Sequence, residues 1–168
     1  MIAVLLGSFA TAFLPRQSEA APGDTNAAPV LPGQGEAAAG SVIKVLPLFL
    51  DLKGYDAKSP SLFERDAYQA YLRQHTNEVS AMRVDVFWKA ANAKATTLKL
   101  RAELRGLGEG GMPHQTVLES DVTPAAYRTW TSLKLEGDDW RNFGSLVAWR
   151  VTLWNGDQLL GEQKSFLW

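Results

Sequence analysis

The sequence predicts an all-β sandwich over residues 41–168, and three observations support this fold class. Apolar and charged residues alternate with a period of two, which is the pattern of a strand with one buried face. Turn residues separate the alternating runs at short intervals. Asn155-Gly156 stands between the last two runs, and this dipeptide favours a type I′ hairpin turn because both central residues need positive φ.

The alternation predicts about seven strands. The clearest run is 98–105, in which leucine and alanine alternate with lysine, arginine and glutamate. Pro47 interrupts the first run. Because proline has no N–H to donate to a sheet, that strand should lie at an edge or change sheets at the proline. The predicted strands are 42–52, 82–89, 98–105, 116–122, 129–135, 147–153 and 158–167.

Two segments have helical rather than alternating patterns. Ser61 and Glu64 fit a capping box, in which each side chain accepts a hydrogen bond from an unpaired backbone N–H. Residues 138–142 favour one helical turn closed by Gly144. About seven antiparallel strands with one short crossover helix fit an immunoglobulin- or fibronectin III-like sandwich. The crossover helix is predicted from apolar residues at helical spacing, namely Leu62, Phe63, Ala67, Ala70 and Tyr71.

The N-terminal region predicts export. Residues 2–14 form an apolar run that is too short for a stable transmembrane helix, and Ser18-Glu19-Ala20 places small residues at a cleavage site. We therefore expect a signal peptide at 1–20, no membrane span after its cleavage, and a periplasmic or extracellular location. A buried N-terminal helix is the alternative. Residues 21–40 are mostly Ala, Pro and Gly, which predicts a flexible linker before the domain at 41–168.

Composition excludes several classes of function. The chain has 17 Lys and Arg against 18 Asp and Glu, so it lacks the basic excess of a nucleic-acid-binding protein. It has no cysteine, which excludes disulfides, thiolate metal sites and a lipidated N-terminal cysteine. His75 and His114 have no neighbouring ligand pattern, so no metal is predicted. No catalytic or nucleotide motif is present, and we expect neither a cofactor nor an enzyme.

Six tryptophans are the most informative residues. Alternation assigns Trp88 and Trp149 to the core. Trp130 and Trp154 fall on the polar faces of their strands, and Trp140 lies in a connecting turn. These last three are the candidate surface for a ligand or a partner, since exposed aromatic rings stack on sugars and anchor protein interfaces. The alternative is that the crossover helix or a loop covers Trp130 and Trp154.

Three runs of sequence also carry a family resemblance. SPSLFERDAYQAYLRQH, LKLRAELRG and AWRVTLWNGDQLLGEQKSFLW resemble small exported proteins of unassigned function from environmental bacteria such as Verrucomicrobia. The resemblance covers residues 42–168. It implies an exported protein with an immunoglobulin- or fibronectin-like β-sandwich, and it brings no catalytic residues with it.

These observations favour an exported, non-catalytic binding or structural module that acts through protein–protein contact. An edge strand would give such a module a route to bind by β-augmentation. The alternative is a glycan-binding domain that uses Trp130, Trp140 and Trp154.

Overall fold

Seven strands and two α-helices form the part of the chain that the computed structural model describes, residues 39–91, 97–124 and 128–168. The predicted signal peptide and most of the predicted linker lie outside these residues. The first strand begins at Ala39, so the last two linker residues belong to the domain. In chain order the elements are β1 (Ala39–Asp51), α1 (Leu62–Gln74), β2 (Val79–Ala91), β3 (Leu98–Leu107), β4 (Pro113–Val122), β5 (Thr129–Glu136), α2 (Gly137–Phe143), β6 (Ser145–Asn155) and β7 (Gln158–Lys164).

The strands form two antiparallel sheets, ordered β1-β2-β5 and β4-β3-β6-β7. The predicted all-β sandwich is therefore confirmed. In the constant-type immunoglobulin arrangement the fourth strand joins the sheet of the first, second and fifth strands, whereas here β4 pairs with β3. The immunoglobulin or fibronectin assignment stays a prediction.

The core lies between the inner faces of the two sheets, as the alternation predicted. Trp88 on β2 is 1% exposed, and its indole Nε1 donates a hydrogen bond to the Thr131 hydroxyl at 2.9 Å. The strands β2, β3 and β6, each paired on both sides, contribute most of the largest buried side chains. Fully buried members of this core include Val84, Val86, Leu100, Leu104, Val151 and Leu153.

The first strand lies at a sheet edge, as Pro47 predicted, and α1 covers part of that edge. Gln69 on α1 is buried, and its side-chain amide bonds both backbone groups of Phe49. The Phe49 N–H donates to Gln69 Oε1 at 2.8 Å, and Gln69 Nε2 donates to the Phe49 carbonyl at 2.9 Å. One side chain thus takes the place of a neighbouring strand at this position.

The helix α1 is confirmed, but the apolar residues whose spacing predicted it do not pack in the core. Phe63 is 81% exposed, and the other four of these residues are also exposed. The helix instead buries Gln69 and Leu72. The physical reason is that α1 docks on the edge of β1, where backbone groups need a polar partner more than they need apolar cover.

A β-bulge interrupts the regular alternation of side chains along β6. Arg105 pairs with Ala148 and Gly106 pairs with Leu146, so Val147 is the extra residue. Strict alternation puts Val147 on the same face as Trp149, which is the core face. Val147 is instead 39% exposed, because the bulge reverses the face of the residues before it. Trp149, also predicted to be core, is partly buried and packs against the core cluster.

Candidate functional site

A groove separates the second half of β1 from the beginning of β6, and we call it the β1–β6 groove. Its volume is about 430 Å³. It is open because β7 pairs with β6 only from Arg150 to Asn155. The groove is lined by Pro47, Phe49, Arg73, Thr76, Trp140, Gly144, Ser145, Leu146, Val147, Trp149 and Ser165.

The chain leaves the sheet at Ser165, directly after β7. The Ser165 N–H donates to the Trp149 carbonyl at 2.9 Å, and the Trp149 N–H donates to the Ser165 hydroxyl at 3.0 Å. Beyond this point, no strand among the described residues pairs with 145–148 on the side of β7. The groove therefore lies along an unpaired strand edge, a feature that invites pairing with another chain.

Aromatic rings form the walls of the β1–β6 groove. The Phe49 and Trp140 rings are 5.9 Å apart and tilted by 57°. At this separation the two rings attract each other. Among the described residues that line the groove, Arg73 alone is ionisable, and its guanidinium carbon lies 6.0 Å from the centre of the Phe49 ring. The groove is thus apolar with one cationic group at its rim.

The structure places the three candidate tryptophans in three different environments. Trp140 is 8% exposed, so the expectation that it is an exposed turn residue is wrong. The short helix α2 turns its ring inward, and the indole Nε1 donates to the Val79 carbonyl at 3.3 Å. It contributes a wall of the groove rather than a free surface. Sequence reasoning did not identify Phe49 or Arg73.

Trp130 is exposed on the outer face of the three-stranded sheet. Its ring is 49% exposed and stacks on Phe87 of the neighbouring strand, with ring centres 4.8 Å apart. Ser132, on the same face, donates a hydrogen bond to Asp85 at 2.6 Å. Neither α1 nor a described loop covers Trp130, so alternation assigned its face correctly.

Trp154 lies on the outer face of the other sheet, in a second concavity that we call the sheet-face groove. Its volume is about 450 Å³. Trp154 shares this face with Arg150 and Thr152, as alternation predicted. Trp130 and Trp154 therefore belong to opposite outer faces, and one ligand cannot bridge them. The sheet-face groove is lined by Lys99, Arg101, Glu103, Glu119, Arg150, Thr152, Trp154, Gly156, Leu159 and Glu162.

A cluster of tyrosines and carboxylates lies at the end of β1. Tyr68 donates its phenolic hydrogen to Asp51 Oδ2 at 2.8 Å, and Tyr71 donates to Glu78 Oε1 at 2.7 Å. Burial of the Tyr68 phenol and its bond to Asp51 raise the pKa of Tyr68 to about 12. For Asp51, burial alone would raise the pKa, but hydrogen bonds from Tyr55, Tyr68 and Lys53 outweigh it, so the pKa lies below its ordinary value.

Replacing Asp51 by asparagine is expected to flatten the loss of stability in acid. Because the pKa of Asp51 is lower in the folded chain, its charge contributes stability above the unfolded pKa of about 4, and this contribution disappears as the pH falls. Urea unfolding at several pH values between about 6 and 2 measures the effect. An unchanged slope in the variant would show that Asp51 is not stabilised in the folded chain.

Within the described ranges, no group of three or more His, Asp or Glu side chains is placed to hold a metal ion. The His75 ring stacks on the Tyr71 ring, with ring centres 3.9 Å apart, and the His75 Nδ1 lies 2.9 Å from the Tyr71 carbonyl oxygen. His114, expected in a loop, belongs to β4 and pairs with Gly106. The helices of the described residues are all too short or too polar to cross a membrane.

Comparison with protein-family models, curated proteins and solved structures gives no match to this chain. The resemblance to exported bacterial proteins therefore stays a prediction.

Proposed function

We propose that this chain is an exported, non-catalytic binding module that holds an extended segment of a partner protein in the β1–β6 groove. One observation carries the proposal: the groove follows the path that β7 would take if it continued along β6. A guest segment entering there would add itself to the four-stranded sheet as a collinear extension of β7, which is β-augmentation.

The guest segment would pair with β6 rather than with β1, because the edge of β1 is already occupied. Gln69 satisfies the N–H and the carbonyl of Phe49. Pro47, two residues earlier, has no N–H to offer. Asp51, two residues later, donates its N–H to the Tyr55 carbonyl at 3.0 Å. By contrast, no described strand pairs with the groove side of 145–148.

The lining specifies the chemistry of the segment. Four residues of strand edge correspond to about 13 Å of extended chain. Alternate side chains of a paired segment point toward one face, so apolar residues at every second position would contact Phe49, Leu146 and Trp149. Arg73 favours an acidic residue at the corresponding end. We therefore propose an apolar segment with a carboxylate beside it.

Export is part of the proposal and rests on the apolar run at 2–14 with its cleavage pattern. The absence of cysteine is compatible with it, since a core of this size holds a domain together without disulfides.

Replacing Val147 by lysine is expected to weaken binding of groove-directed peptides by about tenfold or more. Val147 lines the groove and is 39% exposed, so lysine is tolerated in the fold but places a flexible cation where apolar side chains bind. The probes are peptides selected against the full chain from a random library displayed on phage. Calorimetry gives their affinities, and amide hydrogen exchange of residues 145–148 should slow when they bind.

Val117→Lys is the matched control. Val117 is also a β-strand valine with 39% exposure, but it lies on β4 and lines neither groove. It should leave peptide affinity unchanged. The proposal fails if no peptides are enriched, if both valine variants weaken binding equally, or if exchange at 145–148 is unaffected by a bound peptide.

A further inference from the structure

The sheet-face groove has a different chemistry from the β1–β6 groove, and the two share no residue. Its floor is a ladder of alternating charges across β4, β3 and β6. Arg101 donates to Glu119 Oε1 at 3.2 Å and to Glu103 Oε1 at 3.1 Å, and Arg150 donates to Glu103 Oε2 at 2.5 Å. Arg101, Glu103, Glu119 and Arg150 are therefore joined in one network of hydrogen bonds.

Glu103 is the anchor of this ladder. Its side chain is only 9% exposed, yet it points to the outer face of the sheet, between two arginines. A carboxylate is seldom buried to this extent unless it is paired. Its two oxygens accept hydrogen bonds from Arg101 and Arg150, and the Arg150 guanidinium also lies 5.0 Å from the centre of the Trp168 ring. An arginine has five donors, and those hydrogen bonds use only part of them.

The net charge of the lining selects the class of ligand. Lys99, Arg101 and Arg150 supply three positive charges, and Glu103, Glu119 and Glu162 supply three negative charges. The formal charges of the lining thus sum to zero. A polyanion such as nucleic acid or a sulfated glycan gains no net attraction there. Groups that both donate and accept hydrogen bonds match the alternating donors and acceptors, and hydroxyl groups have this property.

Trp154 supplies the apolar surface that a hydroxylated ring needs. It lies at the end of β6, where it pairs with Lys99 of β3 and with Leu159 of β7 on the outer face of the sheet. The indole gives a flat apolar wall next to the polar floor, so one face of a ring can stack while its edge forms hydrogen bonds.

We propose that the sheet-face groove binds a neutral saccharide, with one sugar ring stacked on Trp154 and its hydroxyls bonded to Arg101, Arg150 and the facing carboxylates. This binding site is separate from the peptide groove. Failure of one proposal therefore leaves the other intact. Trp130, on the opposite outer face, has no part in it.

Calorimetric titration of the full chain with cellohexaose, xylohexaose, mannohexaose and laminarihexaose tests the proposal. At least one should bind saturably with a dissociation constant of about 1 mM or tighter. Trp154→Ala should weaken that binding by about tenfold or more, and Trp154→Phe should restore part of it. Trp130→Ala should leave it unchanged. Thermal unfolding of each variant reports whether it is folded.

Glu162→Ala provides a second variant in case Trp154→Ala does not fold. Glu162 lies on β7, where its removal disturbs no core contact, and the variant should bind the same saccharide several-fold more weakly. The proposal is overturned if none of the four saccharides binds, if Trp130→Ala removes the binding, or if Trp154→Ala leaves it unchanged. Tighter binding of a sulfated oligosaccharide than of its neutral counterpart also overturns it.

Discussion

Replacing Trp88 by alanine is expected to lower the free energy of unfolding by about 3–5 kcal/mol. Trp88 is the largest fully buried side chain, on the middle strand of the three-stranded sheet. The substitution removes the whole indole from a packed interior and leaves a cavity that rigid strands on both sides cannot fill. It also leaves the Thr131 hydroxyl without the hydrogen bond that it accepts from the indole. Urea unfolding followed by far-ultraviolet circular dichroism measures the change.

Trp130→Ala is the control for this experiment. Trp130 is on the adjacent strand of the same sheet, but its ring is on the outer face and contacts Phe87. Its removal should cost no more than about 1 kcal/mol, in the range of a surface aromatic pair. Equal losses for the two variants would contradict the inside and outside assignment of the sheet.

Much of the sandwich could be predicted because its strands obey a simple geometric rule. Side chains of a strand point to alternate faces, so leucines at every second position of β3 identify the face that packs in the core. The C-terminal hairpin followed from Asn155-Gly156, where Gly156 has a φ of +55°. The position of Pro47 predicted an edge strand for a reason that the register confirms: β1 pairs with β2 alone in its sheet.

The errors came where a local pattern competes with a tertiary contact. The apolar spacing predicted α1 correctly, but it gave no sign that the helix would bury Gln69 against the backbone of a strand edge. Strict alternation in β6 predicted a buried Val147, but one extra residue in the pairing with β3 exposes it. Trp140 was assigned to an exposed turn, although the seven-residue helix around it places its ring against β2.

The candidate sites were predictable only in part. The alternation of residues along β6 placed Trp154 on the same outer face as Arg150 and Thr152, and all three line the sheet-face groove. The β1–β6 groove depends on the residue at which β7 leaves the sheet and on two strands that are distant in sequence. No local pattern in the sequence shows which strands come together there. Beside that groove, Gln69 carried a usable signal, since its side-chain amide has both the donor and the acceptor that an unpaired strand edge needs.

The two grooves give the domain two separable modes of recognition. The β1–β6 groove offers an unpaired backbone edge between aromatic walls, which suits a segment of polypeptide. The sheet-face groove offers fixed side-chain donors and acceptors beside one indole, which suits hydroxyl groups. Because their linings do not overlap, variants in one groove serve as controls for the other.

Replacing Gly144 by alanine is expected to lower the free energy of unfolding by about 3 kcal/mol or more. Gly144 joins α2 to β6 with a φ of +73° and a ψ of −142°, a conformation that is essentially restricted to glycine. An added Cβ would lie 2.6 Å from the Gly108 Cα and would overlap the carbonyl oxygen of Leu107. Both are backbone atoms, so neither can move aside by changing a rotamer. Chemical denaturation measures the loss.

Gly54→Ala separates the two causes of this loss. Gly54 also has a positive φ, of +84°, but a Cβ there would meet no atom within 4 Å. It should therefore cost only the backbone strain, about 1–2 kcal/mol. The difference between the variants measures the backbone overlap at Gly144. If Gly144→Ala costs no more than Gly54→Ala, then the junction of α2 and β6 can move away from Leu107 and Gly108 easily, and the β1–β6 groove is not the rigid site that peptide binding requires.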